Sequence, residues 1–169
     1  RHYFMVKKIS LLGATGSIGI QTLDIIKEHP DKFQLVAFSA GKNIEITKQI
    51  IRDFSVPLVS VLFEEDAVLL RKEFPRTELV FGDQGLVQVA AHANADVLVN
   101  AVLGSVGLRP TLEAIKKGIT IAIANKETLV TAGHLVMNAA KQYNVPILPV
   151  DSEHSALFQA MNGEKRSEI

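Results

Sequence analysis

From Val6 onward, short apolar runs rich in β-branched residues alternate with segments whose apolar positions recur every three or four residues. The runs predict strands at 8–12, 33–39, 57–61, 78–81, 97–100, 120–124 and 146–150, most of them too continuously apolar to leave one face in water. Between them, Ile18, Thr22, Ile25 and Ile26 form one stripe over 17–28, and Ile46, Ile50 and Phe54 another over 43–54. Further helices are predicted at 108–117, opened by Arg109-Pro110-Thr111, at 127–143, where Gly133 weakens the middle, and at 155–161. Asn43 and Asp83 stand where N-caps belong, and Pro30 and Pro75 where helices stop. Strands that alternate with helices and are buried on both faces imply an α/β fold: a doubly wound, mostly parallel sheet with helices on both faces.

Composition narrows the classes of function. The 169 residues are 47% hydrophobic and 21% charged, as in an ordinary globular domain. Eighteen Lys and Arg balance eighteen Asp and Glu, so no overall field draws the chain to nucleic acid or to an anionic membrane, and neither is an expected partner. Cysteine is absent, which excludes disulfides, thiolate nucleophiles and cysteine-held zinc or iron–sulfur groups. No uncharged apolar run of about 18 residues and no secretory pattern occur. Arg1 to Phe4 read as an expression scar ahead of Met5.

Gly13-Ala14-Thr15-Gly16-Ser17-Ile18-Gly19 follows the first strand and opens the first helix. In such a turn Gly13 permits the sharp bend, Gly16 lets backbone approach a pyrophosphate, and Gly19 allows tight helix-on-strand contact. Helix N-terminal amides then face the anion, and the hydroxyls of Thr15 and Ser17 can add hydrogen bonds. The spacing is G-x-x-G-x-x-G, and a glycine turn that merely packs the helix on the sheet is the competing reading. At the end of the second strand, where an NAD enzyme presents an acid to the ribose 2′-hydroxyl, stands Ser39-Ala40-Gly41-Lys42-Asn43. Lys42 brings positive charge and Asn43 a donor to the place a 2′-phosphate occupies, which favours NADPH over NADH; an ordinary solvated lysine is the alternative.

Two polar clusters follow late strands, where ligands bind in open α/β sheets. Asn125-Lys126-Glu127-Thr128 reads either as contacts to a nicotinamide ribose and an anionic substrate or as a capped, solvated helix turn. Asp151-Ser152-Glu153 places two carboxylates on one side if strand geometry continues, a pair able to hold Mg²⁺ or Mn²⁺, or else begins the next helix. His154 adjoins them as a ligand, an acid–base group or a structural helix residue. His29, His92 and His134 read as helix residues, and Gly104-Ser105-Val106-Gly107 as a strand-end loop.

These motifs, with Asn100-Ala101-Val102-Leu103-Gly104 and Gly107-Leu108-Arg109-Pro110-Thr111, resemble the N-terminal portion of the 1-deoxy-D-xylulose 5-phosphate reductoisomerase family, from Val6 to the C-terminus. The resemblance implies a Rossmann-type fold in which Thr15, Gly16, Ser17, Ile18, Gly41, Lys42, Asn43, Asn125 and Glu127 contact NADPH. It further implies that Lys126, Ser152 and Glu153 touch substrate, with Lys126 and Glu153 catalytic, and that Asp151 and Glu153 ligate Mg²⁺ or Mn²⁺. The implied activity converts 1-deoxy-D-xylulose 5-phosphate to 2-C-methyl-D-erythritol 4-phosphate in the non-mevalonate isoprenoid pathway. A metal-assisted skeletal rearrangement of the phosphorylated sugar is followed by hydride transfer from NADPH. The family further implies a bacterial, cytoplasmic protein, homodimeric at full length. On this reading 5–150 is the NADPH-binding domain and 151–169 the truncated start of a catalytic domain, so the chain is a fragment that binds NADPH with little turnover. Two other readings compete. An aspartate semialdehyde dehydrogenase, or another NADP-dependent oxidoreductase, shares the glycine turn, but the former needs a cysteine. A non-catalytic NADPH-binding module would not need the paired carboxylates.

Overall fold

The computed structural model describes residues 5–102, 104–124, 133–150 and 153–163. In chain order the elements are β1 (Lys7–Leu12), α1 (Ser17–Glu28), β2 (Phe33–Ser39), α2 (Ile44–Phe54), β3 (Leu58–Val61), α3 (Glu64–Glu73), β4 (Glu78–Phe81), α4 (Gly82–Ala90) and β5 (Val97–Asn100). A 3₁₀ turn (Gly104–Gly107), α5 (Leu108–Lys116), β6 (Thr120–Ile123), α6 (Gly133–Tyr143), β7 (Ile147–Pro149) and α7 (His154–Met161) follow. The seven strands form one sheet in the order β4-β3-β2-β1-β5-β6-β7, every pair parallel. The chain therefore winds outward from β1 to β4, returns to β5 at the other side of β1, and winds outward again. The topological switch point lies between the carboxyl ends of β1 and β5, where doubly wound folds hold their ligands.

Strand alternation divides the apolar residues into two cores. Ile9 and Leu11 of β1 face Leu23, Ile25 and Ile26 of α1, Ile50 and Ile51 of α2, Leu70 of α3 and Leu157 and Met161 of α7. Leu12, Leu98, Ile121 and Ile123 face Val89 and Ala90 of α4, Ala114 and Ile115 of α5 and Val136 and Ala140 of α6. Each fully buried aliphatic side chain contributes about 1.5–3 kcal/mol relative to exposure, which explains why the strand centres are mostly apolar. The register between β1 and β2 steps from Ile9↔Leu35 to Ser10↔Ala37, so Val36 is an extra residue. That bulge resets the alternation and lets Leu35 and Phe38 enter the α1 core while Ala37 enters the other. Beneath α4 the hydroxyls of Ser10 and Ser60 are buried without a hydrogen-bond partner among the described residues.

The helix ends show where local chemistry decides. Asn43 accepts the Ile46 amide at 3.1 Å and caps α2, as the sequence predicts. Asp83 does not cap α4: Phe81 occupies that position, Gly82 turns the chain at φ +70°, and Asp83 lies in the first turn, where its charge meets the positive end of the helix. The predicted loop at 104–107 is a 3₁₀ turn leading directly into α5. α6 is described from Gly133, and the predicted stretch 127–132 lies outside the described residues. β7 pairing reaches only to the Val150 amide, which donates to Ile123. Glu153 is the N-cap of α7 with extended backbone (φ −70°, ψ 130°), while Asp151 and Ser152, on which a shared side for the two carboxylates depends, lie outside the described residues.

Candidate functional site at the switch point

The loop after β1 is held from both sides. Gly13 turns the chain at φ +86°. Its amide donates to the Ser39 hydroxyl at 2.9 Å, and the next amide, of Ala14, donates to the Ser39 carbonyl at 2.9 Å. On the other side, a Cβ at Gly13 would lie 3.1 Å from the Ala101 carbonyl group and from Val102. Gly19 is the packing glycine: a Cβ there would overlap the Gly13 carbonyl oxygen and stand 2.7 Å from the Ala14 carbonyl carbon. Gly16 differs from both. It is the exposed, extended N-cap of α1, and a Cβ on it would meet only the Gly13 oxygen, at 3.9 Å. Among the described residues no side chain caps the first turn of α1, so its amides and its dipole face outward beside the hydroxyls of half-buried Thr15 and exposed Ser17. Ile18 is half-buried against the core.

The Ser39 bonds bring the end of β2 beside this helix start. From there Ala40 donates to Ser60 at 2.9 Å, Gly41 has open space where a Cβ would be, and exposed Lys42 forms no ion pair among the described residues. Asn43 uses its side-chain oxygen on Ile46 and keeps its amide hydrogens. Thr15, Gly16, Ser17, Ile18, Gly41, Lys42 and Asn43 are thus brought to the same end of the sheet, in the segments that follow the neighbouring strands β1 and β2. Asn125, Lys126, Glu127, Asp151 and Ser152 lie outside the described residues. Glu153 is exposed, and the adjoining His154 imidazole stands 3.9 Å from Glu28 of α1. His29, at the end of α1, stacks edge-on against Phe158, as a structural helix residue does. Among the described residues no cluster of three or more His, Cys, Asp or Glu forms a metal centre.

Two residues at this site had no assigned role in the sequence reading. Ser39 is buried and anchors the glycine loop. Asn100 is fully buried at the end of β5, donates to the Thr111 hydroxyl at 2.9 Å and accepts the Val102 amide at 3.2 Å. The available signal for each was a polar residue closing a run of apolar strand positions, which only the fold converts into a partner.

The perturbed ionisable groups lie elsewhere. Desolvation holds the His92 imidazole below its ordinary pKa, and hydrogen bonds from Lys48 and Arg52 hold the Glu73 carboxyl below its own.

A wholly parallel, doubly wound sheet with a glycine turn and an uncapped helix start at its switch point defines the Rossmann-type class of domain. The family model described as 1-deoxy-D-xylulose 5-phosphate reductoisomerase matches residues 9–133. The chain belongs to that family. It is 67% identical over 164 residues to the 1-deoxy-D-xylulose 5-phosphate reductoisomerase of Lysinibacillus sphaericus (strain C3-41), covering 97% of this chain and 43% of the relative. The Zymomonas mobilis enzyme in complex with NADPH superimposes with a TM-score of 0.82 at 36% identity, covering 92% of this chain and 41% of that one. A DOX-P reductoisomerase in complex with NADPH, fosmidomycin and magnesium gives a TM-score of 0.82 at 35% identity over 91% of this chain and 38% of its own. The chain spans less than half the length of the relatives it matches.

Proposed function

We propose that this chain is the NADPH-binding part of a reductoisomerase acting on 1-deoxy-D-xylulose 5-phosphate and yielding 2-C-methyl-D-erythritol 4-phosphate. The observation that carries the reading is the pair of Ser39 bonds, which sets Gly41-Lys42-Asn43 beside the open amides of α1. A dinucleotide fits there: the α1 amides and the Thr15 and Ser17 hydroxyls take the diphosphate, and Lys42 and the Asn43 amide take the 2′-phosphate. Gly16 and Gly41 leave backbone where the ligand comes close.

The remaining roles follow family membership and the sequence. Asn125 and Glu127 complete the NADPH contacts, and Lys126 and Ser152 hold the phosphorylated sugar. Asp151 and Glu153 offer the oxygen donors that suit Mg²⁺ or Mn²⁺, with Lys126 and Glu153 touching the reacting atoms. When bound, NADPH supplies the hydride and the cation polarises a substrate carbonyl. The protein's contribution is to bind, align and desolvate the two partners. On this reading residues 5–150 are the cofactor domain and 151–169 begin the metal- and substrate-binding part. The full-length protein is a cytoplasmic homodimer, and the 169 residues alone bind NADPH with little turnover. Normal metal-dependent NADPH oxidation by this chain alone would refute the last point.

Fluorescence titration tests the cofactor assignment. A charge-assisted hydrogen bond to phosphate is worth about 1.5–3 kcal/mol, so NADPH is expected to bind about tenfold or more tightly than NADH, and Lys42→Glu to abolish that preference. Equal affinities for the two cofactors in the unaltered chain would undo the 2′-phosphate assignment.

A further inference from the structure

We propose that Asn100 and Thr111 form a buried positioning pair that fixes the floor of the cleft under the nicotinamide half of the dinucleotide. The proposal rests on the dinucleotide reading above. Asn100 is the only amide in the strand Val97–Asn100, and both it and Thr111 are fully buried. A hydrocarbon of the same shape would serve that core about as well, since burying an amide and hydroxyl that bond each other yields little net stability. What the amide adds is direction. Its nitrogen donates to Thr111 in the second turn of α5, and its oxygen accepts the Val102 amide, bending the chain back where β5 ends. The same stretch is tied on both flanks: Ala101 donates to the Leu12 carbonyl at 2.9 Å, and Ala124 donates to the Asn100 carbonyl at 3.0 Å.

Gly107 lets the start of α5 come close to the pair. A Cβ on Gly107 would stand 2.7 Å from the Asn100 side-chain nitrogen and 2.7 Å from Val102, so α5 closes tightly over the amide. Across the cleft, the Ala101 carbonyl and Val102 lie 3.1 Å from the place of a Gly13 Cβ. Val102, whose amide Asn100 holds, thus borders the glycine turn. In a doubly wound sheet the two mononucleotide halves occupy opposite sides of the switch point. Ser39 serves the β1–β2 side, which takes the adenosine half, and Asn100 serves the β5–β6 side, which takes the other.

The test compares two probes on this chain: NADPH, which spans both halves, and adenosine 2′,5′-bisphosphate, which occupies only the first. Thr111→Val keeps the volume and removes the acceptor, whereas Thr111→Ser keeps the acceptor. Thr111→Val is expected to weaken NADPH at least fivefold and to leave adenosine 2′,5′-bisphosphate within twofold, while Thr111→Ser matches the unaltered chain. Asn100→Ala, followed at a temperature where circular dichroism shows it folded, should repeat the Thr111→Val pattern. Unchanged NADPH binding in Thr111→Val, or equal weakening of both probes, would overturn the proposal by showing a merely structural pair. If the unaltered chain bound neither probe, the dinucleotide reading itself would fail and take this proposal with it.

Discussion

Gly19→Ala separates the glycines that pack from those that receive a ligand. A methyl group at position 19 would overlap the Gly13 carbonyl oxygen and stand 2.7 Å and 2.8 Å from the Ala14 carbonyl carbon and Cα. All of these are backbone atoms of a turn already pinned by Ser39, so no rotamer change relieves the clash, and α1 must move away from β1. Overpacking of this kind costs about 1–3 kcal/mol, and rigid backbone on the far side places the cost near the upper end. Alanine returns about 1 kcal/mol of helix propensity, leaving a net loss of about 2 kcal/mol. For a chain of this size each kcal/mol lowers Tm by about 2–4 °C, so a fall of roughly 4–8 °C is expected by thermal unfolding. Gly16→Ala is the control. Its Cβ meets nothing closer than 3.9 Å, so Tm should stay within about 2 °C while NADPH affinity falls, because the methyl stands where the diphosphate must approach. A Gly19→Ala chain as stable as its parent, or a Gly16→Ala chain that binds NADPH normally, would refute the assignment of roles.

Two further outcomes follow from polar groups away from the cleft. Ser60→Ala removes a buried hydroxyl that has no partner, so Tm should rise or hold; a fall of more than about 2 °C would mean the hydroxyl is satisfied. Glu73 stands 3.1 Å from Lys48 and 2.6 Å from Arg52, which hold its carboxyl below the ordinary range. Its contribution is therefore complete above that range and disappears as pH falls through the lowered pKa. Glu73→Gln should lower Tm slightly at neutral pH and not at all once the parent carboxyl is protonated, a difference read from Tm against pH. A gap that widens in acid would contradict the assigned partners.

The fold was legible because burial on both faces leaves a strong mark: runs such as Leu-Val-Ser-Val at β3 or Val-Leu-Val-Asn at β5 have no wet side, and alternation with helical stripes then demands parallel pairing. Boundaries shifted where hydrogen bonding rather than hydrophobicity decides. The Val36 bulge leaves no trace in an apolar run, and Asp83 is a good cap residue at a place where Gly82 turns the chain one residue earlier. At the site, the turn at Gly13 and the packing role of Gly19 were readable because a missing side chain carries its meaning in its own identity. Ser39 and Asn100 were not, since a serine or asparagine becomes an anchor only when a partner 26 or 11 residues away is folded against it.

A dinucleotide lying across the switch point between β1 and β5 would perturb the backbone amides that line it. Amide chemical-shift mapping of this chain during NADPH addition tests it directly. Shifts are expected at Thr15–Ile18, Gly41–Asn43 and Ala101–Val102, with the outer β3–β4 edge unmoved. Saturable NADPH binding that shifts only residues remote from those three segments would contradict it.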